Sequence, residues 1–361
     1  MEKSKGKISV RQVMLFFIIA VYTPSIRFVS GYTGVKAKHA AWLVPTVTFI
    51  VTIVLIYILN SLLQKYKGLS FMDIIYDITS RFWGKIIIGL YLVWLTILLS
   101  LYVRYYAERL VTSIYPNVEI DLFVISIILI VAVIIRSGIV VIARMNEIIF
   151  LMFLVIAITL MVLILPTIKI DYLTPISSLN FIPILKGNIG TTSLIYLPYL
   201  LFFSHEFSRT KEFFKYGIYA AIFIWIFTTL IIIASIGNLG HDLIGRTPLA
   251  FFVVVKQVSL LGIISGFESI FVATWIISDF IIITVFTYSI MNMTKSLFNL
   301  KDFKPFINIF LVIIYFVTWI LAGNVFELQA FSSDFAAMTN IMMQVGVPII
   351  LFTIGKVRRK I

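Results

Sequence analysis

Charged side chains that interrupt long apolar stretches are the residues in this sequence most able to do chemistry. They are Arg104, Glu108, Glu147, Glu268 and Asp279. Arg104 and Glu108 are four residues apart, so a helix would bring them together on one face. Asp279 is surrounded by isoleucine and phenylalanine, where a carboxylate needs either a partner or a proton.

Charges in such surroundings either line a path for ions and protons or hold helices together. Both interpretations stay open for Arg104 with Glu108, and also for Glu147, which follows Arg144. For Asp279 the sequence favours a functional or tightly packed polar role over a position facing lipid.

Two prolines interrupt apolar stretches. Pro24 stands in Tyr22-Thr23-Pro24-Ser25, and Pro198 stands in Tyr196-Leu197-Pro198-Tyr199. A proline inside a helix removes a backbone hydrogen bond and clashes with the preceding turn. Transporters often bind their substrate where two helices break in matching positions of two halves. The pair favours a binding site over the alternative of two independent kinks.

The residue types that several other chemistries require are absent. The chain has no cysteine, and its three histidines, His39, His205 and His241, lack metal-ligand spacing. It contains no phosphate-binding or dinucleotide-binding glycine loop and no nucleophile elbow. We therefore expect no enzyme activity, no cofactor and no metal site.

The composition places these residues in membrane helices. Hydrophobic residues make up 61% and charged residues 12% of the chain, whereas soluble domains have about 25% charged residues. A span needs about 20 mostly apolar residues. Ten candidate spans result: 10–29, 41–63, 86–114, 120–136, 140–165, 190–208, 215–236, 259–291, 306–323 and 335–355. We expect an all-α integral membrane protein, with residues 1–361 forming a single polytopic domain.

Basic residues orient these spans. With the N-terminus inside, the cytoplasmic segments hold 20 of the 29 Lys and Arg residues, the outer segments hold seven, and Arg104 and Arg109 lie within the third span. The positive-inside rule then predicts that both termini are cytoplasmic. The same bias, together with anionic headgroups, accounts for the net charge of +13. We expect membrane lipids as partners, and no nucleic acid.

Three connecting segments have their own patterns. Residues 66–84 carry apolar residues at helical spacing, which predicts an amphipathic helix on the inner membrane face. Residues 166–189 and 237–258 are rich in proline or glycine and predict outer loops.

Four segments, in order along nearly the whole chain, carry a resemblance to a known family. They are Ile8-Ser9-Val10-Arg11-Gln12, Arg104-x-x-x-Glu108, Gly266-Phe-Glu268-Ser-Ile-Phe-Val272 with Trp275-Ile-Ile277, and Pro348 with the basic tail Lys356 to Lys360. Together they resemble the B subunit of bacterial endospore germinant receptors, an amino-acid-permease-like spore germination protein.

This resemblance implies a fold and a role. The fold is that of the amino acid–polyamine–organocation superfamily, a LeuT-type five-plus-five inverted repeat with broken helices one and six. The family is implied to work beside the germinant receptor A and C subunits in the inner membrane of the spore. There its B subunit would recognise a small germinant, often an amino acid, which leads to release of ions and dipicolinate.

On this resemblance the ligand pocket lies between spans one, three, six and eight. Its candidate lining is Thr23, Pro24, Ser25, Trp94, Ile195, Tyr196 and Tyr199. Family members commonly have glycine at the two breaks, where this chain has Thr23-Pro24-Ser25 and Tyr196-Leu197-Pro198. Since proline lacks an N–H group, an amino-acid carboxylate would find fewer backbone donors here.

Three hypotheses follow. The first is a germinant-receptor subunit that senses a nutrient without transporting it. The second is an active transporter of amino acids or similar solutes, in which Asp279 or Glu268 is coupled to protons. The third is a structural subunit with a degenerate pocket, which the loss of the two glycines supports.

Overall fold

The computed structural model describes residues 6–113, 115–247, 249–258 and 267–361, without the side chains of residues 113, 267, 325 and 334. These residues are mostly helical. The α-helices are α1 (Val10–Pro24), α2 (Ser30–Ala37), α3 (Val44–Lys65), α4 (Phe71–Ile78), α5 (Arg81–Ser113), α6 (Ile120–Ile134), α7 (Ile139–Ile164), α8 (Phe181–Thr192), α9 (Leu197–Leu200), α10 (Phe213–Leu239), α11 (His241–Ile244), α12 (Ala250–Lys256), α13 (Phe267–Leu297), α14 (Ile307–Leu321), α15 (Val325–Ala330), α16 (Ala336–Ile341) and α17 (Val347–Val357).

Tighter and wider turns connect several of these helices. The π-helical segments are Ser25–Val29, Phe331–Phe335 and Met342–Gly346. The 3-10 segments are Lys38–Leu43, Ile135–Ser137, Leu165–Thr167, Ile170–Leu173, Ser178–Asn180, Leu201–Glu206, Thr210–Glu212 and Lys304–Phe306. Two short strands, β1 (Ile8–Ser9) and β2 (Phe207–Ser208), pair in parallel, with Ile8 opposite Phe207.

Eight helical stretches of the described chain are long and apolar enough to cross a membrane. They are Val10–Lys65, Arg81–Thr112, Ile120–Ser137, Ile139–Thr167, Thr210–Leu239, Glu268–Leu297, Lys304–Leu321 and Phe326–Val357. The difference from the ten predicted spans arises at two places. Val10–Lys65 is one continuous helical stretch that covers two predicted spans, 10–29 and 41–63. The predicted span 190–208 contains no long helix, because its helix is interrupted.

The stretch Val10–Lys65 contains a turn. Its 56 residues would extend about 84 Å as one straight helix, far beyond an apolar layer of about 30 Å. Lys38, after α2, has φ 52° and ψ −129°, which no helical residue adopts. The count of ten spans and the five-plus-five repeat stay predictions. The start of the predicted eighth span, including Gly266, lies outside the described residues.

Local sequence signals set where several helices begin and end. Ser9 and Gln12 form a capping box at the start of α1, in which each side chain binds the other residue's backbone N–H. Ser70 and Asp73 repeat the arrangement at α4. Gly138, with φ 84°, separates α6 from α7 because glycine adopts this conformation without strain.

The long helices pack around α1, α5, α10 and α13. α5 lies along α13, α3 along α10, and α1 contacts α7, α10 and α13. α5 and α13 are antiparallel, since Tyr102 meets Phe286 and Arg109 meets Asp279. α3 and α10 approach closely at Gly217, where an added Cβ would lie 2.8 Å from the Ile56 side chain.

The predicted amphipathic helix within residues 66–84 is α4. Its apolar residues Phe71, Ile74, Ile75 and Ile78 are fully buried. They pack on α5 and on the segment Leu201–Glu206. Protein therefore covers the apolar face of α4, and the place of this helix at the inner membrane face stays a prediction.

Candidate functional site

The interruption in the predicted sixth span is the most irregular segment of the interior. Residues 193–196 separate α8 from α9, and Pro198 occupies the first turn of α9. The N–H groups of residues 193–196 donate to carbonyls of residues 189–194. The segment is therefore closed on itself, and its backbone offers few free donors to a ligand.

The predicted break in the first span has a different form. α1 ends at Pro24 and the chain continues as the π-helical segment Ser25–Val29. Ser25 donates its hydroxyl to the Val21 carbonyl at 2.7 Å, the same carbonyl that accepts from the Ser25 backbone N–H. Pro24 thus produces a wider helical turn and not an unwound segment. Such π-bulges occur often at functional sites.

Aromatic and amide side chains from four predicted spans meet next to residues 193–196. The Trp94 indole donates to Asn340 Oδ1 at 2.9 Å, and the Tyr199 hydroxyl donates to the same oxygen at 3.2 Å. The hydroxyls of Tyr102 and Tyr196 are 2.8 Å apart. Phe286 of α13 packs edge-on against Tyr102, Tyr196 and Tyr199. We call this set the aromatic–amide cluster: Trp94, Tyr102, Tyr196, Tyr199, Phe286 and Asn340.

Gln344 lies one helical turn after Asn340. Its amide nitrogen donates to the Ser193 carbonyl at 3.2 Å, inside the interrupted segment. Its amide oxygen is buried without a hydrogen-bond partner among the described residues. A buried acceptor without a donor is costly, so this oxygen is available to a ligand or a water.

Arg27 lies over the aromatic–amide cluster from the first span. Its Cζ atom is 3.3 Å from the centre of the Tyr105 ring and 5.9 Å from that of Tyr102. One of its terminal nitrogens, Nη1, is buried and has no hydrogen-bond partner among the described residues. A guanidinium carries donors that match a carboxylate, so Arg27 can supply what the closed backbone does not.

A buried ion pair joins α5 to α13. Arg109 and Asp279 form a salt bridge and are 5% and 0% exposed, respectively. The Arg109 guanidinium also lies 3.9 Å from the centre of the Trp275 ring. Thr23 of α1 is close enough to interact with the Asp279 carboxylate. The pair lies seven residues along both helices from the Tyr102–Phe286 contact, which is about 10 Å.

The other predicted charges lie elsewhere. Arg104 Nε donates to Glu108 Oε1 at 3.0 Å, as the spacing predicts. Glu147 accepts from Arg11 at 2.5 Å and from Gln12 at 3.3 Å. That bond ties α7 to the exposed start of α1, and the predicted role of Glu147 as an intramembrane charge stays a prediction. Glu268 is partly exposed at the start of α13 and has no ion-pair partner among the described residues.

The seven predicted pocket residues do not form one wall. Trp94, Tyr196 and Tyr199 meet in the aromatic–amide cluster, and Thr23 lies beside Asp279. Ser25 and Ile195 line a separate cavity bounded by α1, α3, α8 and α10. That cavity offers about 20 Å³ to the centre of a water molecule, which is room for about one water and too little for an amino acid.

Several residues of the site were missed from the sequence. They are Arg27, Tyr102, Arg109, Asn340 and Gln344. Asn340 and Gln344 are amides four residues apart in an apolar span, so the reasoning applied to charged residues could have found them. Arg109 was counted as an intramembrane charge, but nothing in the sequence pairs it with Asp279.

The described residues contain no group of three His, Asp or Glu side chains that could hold a metal ion. The chain has no cysteine. The interior offers aromatic faces, amide groups and guanidinium groups, which are the kinds of group that line small-molecule pockets.

Comparison of the sequence with known proteins identifies a family. The family model described as "Spore germination protein" matches residues 7–326. Spore germination protein KB of Bacillus subtilis (strain 168) is 24% identical over 307 residues, which is 82% of this chain and 80% of that protein.

Two solved structures are similar in fold. Mhp1, a nucleobase-cation-symport-1 family transporter in a closed conformation with bromovinylhydantoin bound, has a TM-score of 0.69 and 14% identity, over 98% of this chain and 80% of that one. A mutant of the Eremococcus coleocola manganese transporter has a TM-score of 0.60 and 12% identity, over 97% and 78%. The chain therefore has the fold of these membrane transporters.

Proposed function

Because the chain belongs to the spore germination protein family, we propose that it is the membrane subunit of a germinant receptor, which senses a small nutrient such as an amino acid and helps to trigger germination. On this proposal it has ten spans in a five-plus-five repeat, with both termini in the cytoplasm. It lies in the inner membrane of the spore beside the receptor A and C subunits.

The observation that carries the proposal is the convergence on Asn340. Trp94 of the third predicted span and Tyr199 of the sixth both donate to its side-chain oxygen, next to the only long interruption within a predicted span that the described residues contain. A ligand that competes for these bonds would change the contact between three predicted spans. Such a change can report binding without any transport.

Arg27 and the closed backbone indicate how a carboxylate would be bound. The N–H groups of residues 193–196 are already used, and Pro198 has none. The buried nitrogen of Arg27 lies over the ring of Tyr105. We therefore propose that a side chain replaces the backbone donors that glycine-containing breaks provide in relatives.

The decisive experiment is germination of spores in which the gene is deleted and then restored with variants. Asn340→Leu removes the shared acceptor while keeping the number and branching of the side-chain heavy atoms, so response to at least one nutrient should fall at least about tenfold in rate, as expected for loss of two buried hydrogen bonds. Thr339→Val is the matched control, because Thr339 is half-buried and its hydroxyl bonds to the Phe335 carbonyl one turn earlier.

Receptor abundance in the spore membrane must be measured in the same strains. If deletion of the whole chain leaves germination unchanged on every nutrient tested, the sensing role is wrong. If Asn340→Leu spores contain a normal amount of receptor and germinate normally, the chain is a structural subunit and the proposed pocket has no role.

An active transporter is the second candidate, and the Arg109–Asp279 ion pair favours it. A carboxylate and a guanidinium buried between two helices are a possible proton-linked element. Uptake of labelled amino acids into proteoliposomes under a proton gradient tests this. Asp279→Asn should abolish gradient-driven uptake, and unaltered uptake by that variant would exclude the proton role. Absence of uptake by the wild-type chain, with normal binding, would favour the sensor.

A further inference from the structure

A second polar cavity lies at the end of the helix bundle where α5 begins and α13 ends. It encloses about 710 Å³, more than thirty times the volume of the cavity beside Ser25 and Ile195. Its lining is Ser70, Met72, Asp73, Tyr76, Arg81, Lys85, His205, Asn292, Lys295, Ser296, Asn299 and Leu300. We call this cavity the basic cleft. It is separate from the aromatic–amide cluster and shares no residue with it.

The charges of the basic cleft are unbalanced. Arg81, Lys85 and Lys295 face a single carboxylate, Asp73. That carboxylate is already engaged at the start of α4, where one of its oxygens accepts from the backbone and the hydroxyl of Ser70 at 3.1 and 2.6 Å. Within the described chain, none of the three cations takes part in an ion pair.

The position of two of these cations adds to the imbalance. Arg81 and Lys85 lie in the first two turns of α5, and the first turn has no acidic residue. The N-terminus of a helix carries a partial positive charge, which repels cations and attracts anions. A sequence that places Arg81 and Lys85 at this end of a 33-residue helix gains stability when an anion occupies the cleft.

Neutral hydrogen-bonding groups surround the cations. Asn292, Ser296 and Asn299 come from the end of α13 and the turn that follows it. His205 lines the opposite side, and its Nδ1 atom is buried without a hydrogen-bond partner among the described residues. Cations combined with hydroxyl, amide and imidazole groups suit a phosphate, whose oxygens accept several bonds at once.

The surroundings favour a phosphate that belongs to a lipid. Phe82 and Trp83 follow Arg81 directly, contact each other edge to face, and are 70% and 60% exposed. Exposed tryptophan beside basic residues is typical of the membrane–water interface. The cleft therefore opens at the depth of lipid headgroups, and its volume fits a headgroup better than an isolated phosphate ion.

We infer that the basic cleft is a binding site for a phosphate group, supplied by the headgroup of an anionic phospholipid. The ligand would bridge the end of α13 to α4 and to the start of α5, two helices that the chain links directly through residues 79 and 80. The C-terminal segment is attached to the end of α4, because Lys360 pairs with Asp77 at 2.8 Å and Arg358 donates to the Ile78 carbonyl at 2.8 Å. The site would make the arrangement of these elements depend on lipid composition.

The test uses the full chain, purified in a neutral detergent. Retention of added phosphatidylglycerol and of phosphatidylcholine is measured by native mass spectrometry for the wild type and two charge-matched variants. The cleft variant is Arg81→Gln, Lys85→Gln and Lys295→Gln. The control variant is Lys211→Gln, Lys301→Gln and Lys304→Gln, which removes three exposed cations outside the cleft.

We expect the wild type and the control variant to prefer phosphatidylglycerol, and the cleft variant to bind it at least about tenfold more weakly, since each cation near a lipid phosphate contributes about 1 kcal/mol. Equal retention by all three proteins would overturn the inference. If the triple variant does not fold, Lys85→Gln alone replaces it, because Lys85 is exposed. This single substitution should weaken the binding of phosphatidylglycerol about fivefold.

Two further probes identify the source of the anion. Inorganic phosphate that stabilises the wild type and the control variant, but not the cleft variant, against heating would support a phosphate site filled from solution. The second probe is a short glutamate-rich peptide. If it binds the wild type and the control variant but not the cleft variant, while neither phosphatidylglycerol nor inorganic phosphate distinguishes these proteins, the inference is overturned in favour of an acidic protein segment.

Discussion

Two arginines on α5, five residues apart, are equally buried and have similar partners, but the partner carboxylates lie in different places. Arg104 pairs with a carboxylate, Glu108, and lies 4.4 Å from the ring centre of Trp319. Arg109 pairs with a carboxylate, Asp279, and lies 3.9 Å from the ring centre of Trp275. Glu108 belongs to the same helix as its arginine, whereas Asp279 belongs to α13.

The two pairs therefore have different physical consequences. Glu108 keeps 14% of its side chain exposed, so water can reach the first pair when it separates. Asp279 is fully buried, so separation of the second pair would leave two charges without solvent. Only the second pair ties two helices together. The pair within one helix stabilises α5 alone, while the pair between helices must break before α5 and α13 can separate.

The largest expected effect comes from removing one partner of the buried pair. Asp279→Leu leaves a guanidinium that cannot lose its proton, so we expect a loss of about 3–5 kcal/mol in the free energy of unfolding. Arg109→Met should cost less, about 2 kcal/mol, because the remaining carboxyl can take up a proton. Denaturation in mixed micelles of the purified chain measures both.

A double variant sharpens this result. Arg109→Met combined with Asp279→Leu should recover most of the loss, since no charge is left buried. Equal losses for the two single variants would show that water reaches this pair.

Replacing the tryptophan of the buried pair should cost more unfolding free energy than replacing that of the local pair. Trp275→Leu removes a fully buried ring next to a fully buried ion pair, which contributes about 2 kcal/mol, whereas Trp319→Leu removes a half-buried ring next to a pair whose carboxylate is partly exposed, which contributes about 1 kcal/mol or less. Trp319→Leu also removes the indole hydrogen bond to Asp121 at 3.0 Å, so the loss measured there is an upper limit for its cation–π contribution. A larger loss at Trp319 would contradict the assigned surroundings.

Breaking the local pair should have a smaller effect. Glu108→Gln keeps the shape of the side chain and a hydrogen-bond acceptor, so we expect a loss of about 0.5 kcal/mol, as for other pairs four residues apart on a helix. The effect should shrink as salt is added. If Glu108→Gln lost as much unfolding free energy as Asp279→Leu, water would be excluded from the Arg104–Glu108 pair as completely as from the Arg109–Asp279 pair.

The smallest effect is expected at the exposed pair between Arg11 and Glu147. The Arg11 side chain is 63% exposed, so Glu147→Gln should change the unfolding free energy by less than about 0.5 kcal/mol. Germination of spores carrying this variant should be unchanged. A clear loss of response with normal receptor levels would return Glu147 to the set of functional residues.

Local reasoning from the sequence succeeded where partners are close along the chain. The bond between Arg104 and Glu108 follows from helical spacing alone. The apolar residues at helical spacing that form α4 follow the same way. The protein that buries them, α5 and the segment Leu201–Glu206, lies beyond any local pattern.

The candidate site shows the same division. The prolines marked two irregular places, but Pro24 made a π-bulge and Pro198 follows an interrupted helix. Hydrogen bonding around each proline decides between these outcomes, and this depends on neighbours from other helices. Ser25 and Ile195 faced a different cavity from Tyr196 and Tyr199 because successive residues of a helix point in different directions.

The sequence by itself determined that this chain is a helical membrane protein of the spore germination family, since apolar length and composition act residue by residue and family segments are read in order. Only the tertiary structure decided which distant groups meet. Asn340 joins Trp94 and Tyr199, Asp279 meets Arg109, and three cations share one cleft. Each of these contacts joins residues that are a hundred or more positions apart or that lie on several chain segments. The packing of apolar helix faces brings them together, and the apolar pattern of a helix does not specify which polar groups on other helices it will meet.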